Sequence, residues 1–454
     1  MSKLKLSDLK YNEINSVQEK YIKVQNEILF MAYHDTLTNL PNRNYFLREL
    51  KGAIGRSEKC AVLFIDMDNF KDINDSFGHN YGDVLLKIVS ELLKCCIKDK
   101  GIVARMSGDE FLILLPNISD AKSINSICQS IIDNFTNPFE LMDVQSYSSV
   151  SIGVALFDNN GEDEMQILKN SDIAMHYAKF NGKNRYAFYD DKLKDIYTKK
   201  KNIENGLQKA LDNNELELYY QPQIDINNSK IRGFEALLRW KSPELGNVSP
   251  NDFIPIAEET GLMYKIGEWV LKEACTQEKK WKDMGFIFDT ISINISPKQI
   301  KNNHFINLIN SSLLENDLSP ESLEIEITEG TLMKSTEKSK LLAKLIEKGI
   351  KVAIDDFGKG YSSLNYLTKL PINTLKIDKS FIDRIFEDKK TFLIVDSIIE
   401  LSKKLDYNVI AEGVENIKQV ELLKNIGCDC IQGYYYSKPV PADIAEEILK
   451  NKNF

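Results

Sequence analysis

From residue 214 onward the chain alternates short apolar runs with longer amphipathic stretches. Runs of strand length fall at 216–220, 231–237, 291–294, 323–327, 351–354, 374–377, 408–411 and 430–434, and helical periodicity fills most of the intervals. Eight strands alternating with helices over about 250 residues predict a TIM-type (β/α)8 barrel. The first half reads as a strand at 61–66, a helix at 82–96 and two short strands at 102–106 and 111–115 around the turn 107–110. A helix at 121–135, a strand at 147–155 and a helix at 164–180 complete an α/β domain. The fold class is therefore α/β throughout. The expected domains are an N-terminal helix (1–30), an α/β domain (31–190), a charged helical linker (191–213) and the barrel (214–454).

Ahead of the first domain, Ile14, Val17, Tyr21, Val24, Ile28 and Met31 alternate spacings of three and four. That seam suits a short coiled coil or an amphipathic helix lying on the following domain, and both readings stay open. Cap and turn residues at 35–43 end the helix. Nothing ahead of it reads as a separate sensor domain.

The barrel's runs end in chemistry. Asp355 and Asp356 close one, Glu326 and Glu329 another, Glu412 a third; Asn294 ends a fourth and Lys376 lies in a fifth. Close carboxylates repel and need neutralising. Oxygen ligands converging from several strand ends are what hard divalent cations require, and strand C-terminal ends are where such barrels place their active sites.

Composition narrows the partners. A net charge of −9 argues against nonspecific binding to nucleic acid or anionic membrane, while a phosphorylated substrate remains possible if metal ions supply positive charge. The seven cysteines include no C-x-x-C pair and read as reduced thiols. The four histidines are dispersed, which argues against a His-rich zinc site. No apolar run approaches the roughly 20 residues needed to span a bilayer, so a cytoplasmic location is expected.

Glu235-Ala236-Leu237-Leu238-Arg239-Trp240 resembles the signature of the EAL family, phosphodiesterases that open cyclic di-GMP to pGpG. Tyr220-Gln221-Pro222, ISINIS around Asn294, EIEITE with Glu326 and Glu329, Asp355-Asp356-Phe357-Gly358, LKID with Lys376, AEGVE with Glu412 and QGYYYSKP with Gln432 extend the resemblance over residues 200 to 450. It implies that Glu235, Asn294, Glu326 and Asp355 hold one Mg²⁺ or Mn²⁺. Asp355 would bridge to a second ion supported by Asp356 and, through water, by Glu412. Lys376 would act on the attacking water, with a pKa depressed near the cations. Glu326, Asp356 and Glu412 complete the catalytic set. Gln221, Arg239 and Gln432 would contact substrate or its water shell, and Glu329 would order the loop 357–364. Taken singly, Glu329 also reads as a helix N-terminal acid, Lys376 as a rim lysine and Arg239 as a surface ion pair. Gly358-Lys359-Gly360 lacks P-loop spacing.

Ser107-Gly108-Asp109-Glu110-Phe111 is similar to the GGDEF signature of diguanylate cyclases with its first glycine replaced. HDTLTNLPNR at 34–43, the run 66–75, Gly78-His79, Gly82-Asp83 and Ala178-Lys179 with Gly182-Lys183-Asn184-Arg185 support it over residues 28–190. The resemblance implies Mg²⁺ on Asp66 and Asp109, with Glu110 at the metal or nucleotide. Asn74 and Asp83 would read guanine, Gly108 would let backbone approach the phosphates, and Lys179 and Lys183 would meet the triphosphate of GTP. Ser107 is expected to strain a left-handed turn position and crowd the nucleotide. The family's Arg-x-x-Asp inhibition motif reads Lys98-Asp99-Lys100-Gly101 here, so that feedback site is expected to be lost. The expected protein is a metal-dependent cyclic di-GMP phosphodiesterase with a GTP-binding, regulatory first domain, and a homodimer. Its rivals are a bifunctional enzyme with an active cyclase and a non-catalytic receptor.

Overall fold

The computed structural model describes residues 24–25, 27–56, 59–118, 121–157, 163–301, 303–332, 336–358 and 371–451. The chain divides between Lys199 and Lys200 into two compact units. Of the N-terminal seam, Ile14, Val17 and Tyr21 lie outside the described residues, and Val24, Ile28 and Met31 are exposed on helical backbone.

The first unit is built on β1 (Cys60–Asp68), whose nine residues are all buried. Such a strand must be covered on both faces. Ala61, Leu63, Ile65 and Met67 join one core with the helices His79–Ile97 and Ala121–Asn134. Cys60, Val62 and Phe64 join another with the helices Arg43–Gly55 and Glu164–Phe180. β2 (Ile102–Ser107) and β3 (Glu110–Pro116) form the expected hairpin. β4 (Phe139–Leu141) and β5 (Val144–Ser146) make a separate small ribbon. β6 (Ser149–Phe157) and β7 (Arg185–Phe188) complete a sheet of order β2-β3-β1-β6-β7. Because β1 runs antiparallel to β3, Asp66 lies opposite Glu110, at the hairpin turn.

The second unit is a closed eight-stranded barrel: β8 (Leu216–Asp225), β9 (Lys230–Ser242), β11 (Thr290–Asn294), β12 (Leu323–Thr328), β13 (Lys351–Phe357), β14 (Thr374–Ile377), β15 (Asn408–Glu412) and β16 (Cys430–Gln432), with the short β10 (Gly246–Val248) paired to β9. All eight strand segments sit where the apolar runs placed them. The topology departs from the all-parallel TIM pattern at one strand. β8 is antiparallel to both β9 and β16, while the other seven are parallel. Its connection to β9 shows why. Residues 226–229 make a tight turn in which Asp225 Oδ1 accepts from Asn227 N at 2.8 Å and Ser229 is left-handed at φ 55°. A turn that short joins only antiparallel strands. Trp281 of the helix Met263–Asp283 packs edge to face on Tyr220 and Phe288 and tilted on Phe234, with Tyr220 and Trp281 centroids 4.8 Å apart. Among the described residues no helix is long and apolar enough to cross a membrane.

Gly153 of β6 lets the sheet touch the helix Glu164–Phe180: a Cβ there would meet Ser171 O at 2.0 Å and Met175 N at 2.1 Å. Gly153→Ala should therefore overpack the first unit and cost about 1–3 kcal/mol. Denaturant titration of the intact chain checks this, and an unshifted first transition would show that strand and helix can separate.

Candidate active site

Inward alternation along the barrel strands brings Gln221, Glu235, Asn294, Glu326, Asp355, Lys376, Glu412 and Gln432 into one layer near the C-terminal ends of the parallel strands. Lys376 is wholly buried at its centre. Its Nζ lies 2.6 Å from Glu326 Oε2, 2.7 Å from Glu412 Oε1, 3.2 Å from Glu235 Oε2 and 3.5 Å from Asp355 Oδ1. Glu235 also accepts from Gln432 Nε2 at 2.5 Å and from Asn294 Nδ2 at 2.6 Å. Gln432 Nε2 in turn donates to Gln221 Oε1 at 3.0 Å. Glu326 Oε1 is buried without a hydrogen-bond partner.

Two adjacent aspartates on a regular strand would face opposite sides. β13 avoids this with a bulge: Ile354 pairs with Leu375 and Phe357 with Ile377, so Asp355 and Asp356 together face the single Lys376. Asp356 takes the left-handed conformation at φ 55° and its N–H donates to Asp355 Oδ1 at 2.9 Å. The extra residue re-aims the second carboxylate. Asp355, Asp356 and Glu412 can then each offer an oxygen within 4.8 Å of the others.

The electrostatics are those of an acid cluster held by one cation. Burial lifts the Glu326 carboxyl well above its ordinary range, with the charges of Glu235 and Asp355 adding to it. Burial likewise pushes Glu412 up to about 8 and raises Asp355. Glu235 ends below its usual value because Lys376, Gln432 and Asn294 outweigh burial. Burial would depress Lys376, but the carboxylates of Asp355, Glu235, Glu326 and Glu412 hold its pKa well above normal. Ringed by these acids alone, Lys376 keeps its proton, whereas the depression expected of it depends on cations beside it. Oxygen-only donors, an excess of carboxyls over ammonium and the orphaned Glu326 Oε1 fit a hard divalent cation.

The other expected residues lie around this layer. Half-buried Arg239 donates through Nη1 to Leu238 O at 2.8 Å, and its Cζ stands 5.5 Å from the Tyr219 ring centroid. Gln221 Nε2 donates to Ser437 O at 3.1 Å. Glu329 Oε2 accepts from Gly358 N at 2.9 Å, at the start of the loop it was expected to order; residues 359–364 lie outside the described residues.

In the first unit, Lys179 Nζ lies 2.6 Å from Asp66 Oδ1. Burial, opposed by Lys179, raises the Asp66 pKa to about 6. Asp109 O accepts from Met67 N at 3.3 Å, which ties the hairpin turn to β1. Lys183 Nζ donates to Asn69 Oδ1 at 2.7 Å. Asn74 packs so closely on Gly82 that a Cβ at Gly82 would meet its Oδ1 at 2.1 Å, and the neighbouring Asp83 is exposed. Gly108 takes φ 51°, but Ser107 is not left-handed, so the expected strain there is absent. Its hydroxyl instead donates to Glu110 Oε2 at 3.0 Å.

The EAL domain matches residues 204–439, and "Diguanylate cyclase, GGDEF domain" matches residues 32–185. The chain belongs to the EAL family. A GGDEF domain precedes its EAL domain. "Signaling protein YkoW" of Bacillus subtilis is 40% identical over 95% of this chain and 54% of its own length. "Bifunctional diguanylate cyclase/cyclic di-GMP phosphodiesterase MucR" of Pseudomonas aeruginosa is 36% identical over 93% of this chain and 62% of its own. The chain thus spans little more than half the length of these relatives. The solved "PaMucR Phosphodiesterase, c-di-GMP complex" is 40% identical, covers 54% of this chain and 99% of that one, and superposes with a TM-score of 0.52.

Motif reading missed three features of this GGDEF–EAL chain. Asp68 accepts from Ser149 Oγ at 2.6 Å and Ser151 Oγ at 2.8 Å, fixing the end of β1. Arg105 clamps the signature turn through Nε and Nη2 on Gly108 O at 2.9 and 2.7 Å, and its Nη1 lies 3.0 Å from Asp35 Oδ1. Beneath the EAL carboxylates lies a second polar layer centred on Arg232 and Glu324. A signal for that layer was present, since Glu324 and Glu326 are two apart on a strand and must share a face.

Removing the Glu329 carboxylate should free the Gly358 amide. Glu329→Ala is expected to speed its hydrogen exchange roughly tenfold, the equivalent of about 1.4 kcal/mol. Unchanged exchange would show that another group holds this loop.

Proposed function

We propose that the EAL domain hydrolyses cyclic di-GMP to pGpG with Mg²⁺ or Mn²⁺. The observation that supports this most is the buried layer in which Glu235, Glu326, Asp355 and Glu412 surround Lys376 at the strand ends. Glu235, Asn294, Glu326 and Asp355 would hold one ion; Asp355, Asp356 and, through water, Glu412 would hold the second. When bound, such ions activate water and neutralise developing charge. Water adds its oxygen to one phosphorus, that P–O3′ bond breaks, and the 3′-oxygen leaves to take up a proton. Lys376 would orient the water or a phosphate oxygen, or act on the water's proton. The water's proton would pass to Lys376, if it is then unprotonated, or to a neighbouring carboxylate such as Asp356 or Glu412. Arg239 offers a planar fork to a phosphate, and Gln221 and Gln432 set the substrate side of the layer. The similarity to a phosphodiesterase solved with c-di-GMP supports the substrate assignment.

The GGDEF domain binds GTP with Mg²⁺ in this reading. Asp66, Asp109 and Glu110 serve the metal side, Lys179 and Lys183 the phosphates, and Asn74 and Asp83 the guanine. The unstrained Ser107 favours a second reading in which this domain also makes cyclic di-GMP. The protein is a homodimer working in the cytoplasm.

Glu235→Ala should lower pGpG production by more than about a hundredfold, since even outer-shell partners of a metal cost 10–100-fold. EDTA should do the same to the wild-type chain. Chromatography of the products tests both, and full activity in either case would remove the metal mechanism.

GTP should change that rate by about fivefold or more, the usual lower range of allosteric coupling, and Asp66→Asn should erase the response together with GTP binding by calorimetry. In the Glu235→Ala background, Ser107→Ala should raise cyclase output as much as Ser107→Gly if the hydroxyl's hold on Glu110 is limiting. A gain from glycine alone would point to backbone freedom instead.

A further inference from the structure

TIM-type barrels fill their interior with layers of bulky branched side chains. Directly below the carboxylate layer, this barrel instead carries a buried charged network. Arg232 and Glu324 form a bidentate pair, Nη1 to Oε2 and Nη2 to Oε1, both at 2.9 Å. Gln223 Oε1 accepts from Arg232 Nη1 at 2.6 Å and Ser292 Oγ donates to Glu324 Oε2 at 2.9 Å. Thr374 Oγ1 donates to Glu324 Oε1 at 2.6 Å and accepts from Arg232 Nη2 at 3.3 Å.

The positions of these side chains are not accidental to the layer above. Ser292, Glu324 and Thr374 each stand one inward step before Asn294, Glu326 and Lys376 on the same strand, and Gln223 stands one inward step from Gln221. Arg232, three residues from Glu235, would face outward by simple alternation. A register shift admits it: Gln223 pairs with Gly233 and Ile224 with Ile231, so Arg232 is the extra residue of a bulge. Apolar packing tolerates small sliding of strands, whereas bonds between charged groups are short and directional.

We propose that the Arg232–Glu324 network is a positioning layer that sets the axial offsets of β9, β11, β12 and β14, and so the spacing of the divalent-cation ligands Glu235, Asn294 and Glu326 and of Lys376. This rests on the metal-dependent reading above. None of its members touches substrate; they act through the residues one step up. Productive sites need ligand placement within about 0.5 Å, and a network crossing the lumen from β9 to β14 supplies that constraint at a distance of one side-chain layer.

The test uses the full chain in an Asp66→Asn background, which removes the first unit's metal site. Replacing both charges, R232M/E324M, leaves no buried ion unpaired and is the variant of this pair best able to fold. Thr374→Val is a milder second variant that removes one hydroxyl from the network. Calorimetry with Mn²⁺ alone, cooperative thermal melting and steady-state kinetics on cyclic di-GMP are read together. The double variant should melt cooperatively, bind Mn²⁺ ten- to hundredfold more weakly and lose kcat in proportion, with KM within threefold. Thr374→Val should weaken Mn²⁺ at least threefold, and it decides the matter alone if the double variant does not fold. Wild-type Mn²⁺ affinity in folded R232M/E324M, or in Thr374→Val when that variant decides, overturns the positioning layer and leaves the functional reading standing. A parent chain that binds no Mn²⁺, with Glu235→Ala indistinguishable from it, overturns the functional reading and this proposal with it.

Discussion

A single buried ammonium holds the barrel's reactive layer together. Without the Lys376 charge, Glu235, Glu326, Asp355 and Glu412 would face one another in a low-dielectric interior, where like charges protonate or separate. With it, four acids from four strands have one common partner between 2.6 and 3.5 Å away. One cation does not balance four carboxyls, which is why burial and mutual repulsion still lift Glu326, Asp355 and Glu412. The layer is therefore built with an affinity for more positive charge. That property, more than any one residue, makes a divalent-ion phosphodiesterase the natural reading.

Two one-residue irregularities deliver that layer. The β13 bulge turns Asp356 toward its neighbour, and the β8–β9 bulge turns Arg232 into the lumen. Both break strand alternation where chemistry needs an additional side chain inside, and both are absorbed by barrel closure. The first unit uses other devices for a similar end. Its signature turn combines one left-handed glycine with an arginine clamp on that glycine's carbonyl.

Much of this was legible from residues alone. Strand-length apolar runs located all eight barrel strands because strands buried on both faces leave a continuous apolar signature. The acids at their ends located the reactive rim because inward alternation carries them to it. Other features were not legible in the same way. The antiparallel β8 was hidden by reading 216–220 and 231–237 as shorter runs than the strands that form, which concealed the tight turn between them. Bulges depend on register, which one strand's sequence does not state. The charge state of Lys376 depends on its neighbours in space, contributed by four separate strands. Ser107 was misread because the signature pattern suggested a glycine conformation at a position where the backbone is ordinary.

The antiparallel β8 also changes where the chain enters the barrel. Leu216, the first residue of β8, pairs with Trp240 near the end of β9, so the polypeptide runs into the barrel at its reactive rim. In an all-parallel barrel the first strand would start at the opposite end. The helix Asp191–Ala210 leads into the barrel, with Ile203, Leu207 and Ala210 packed in its core just ahead of β8. From that strand Gln221 accepts from Gln432, and Gln223 accepts from Arg232. One strand thus bonds to both polar layers at once, at the point where the chain enters the barrel.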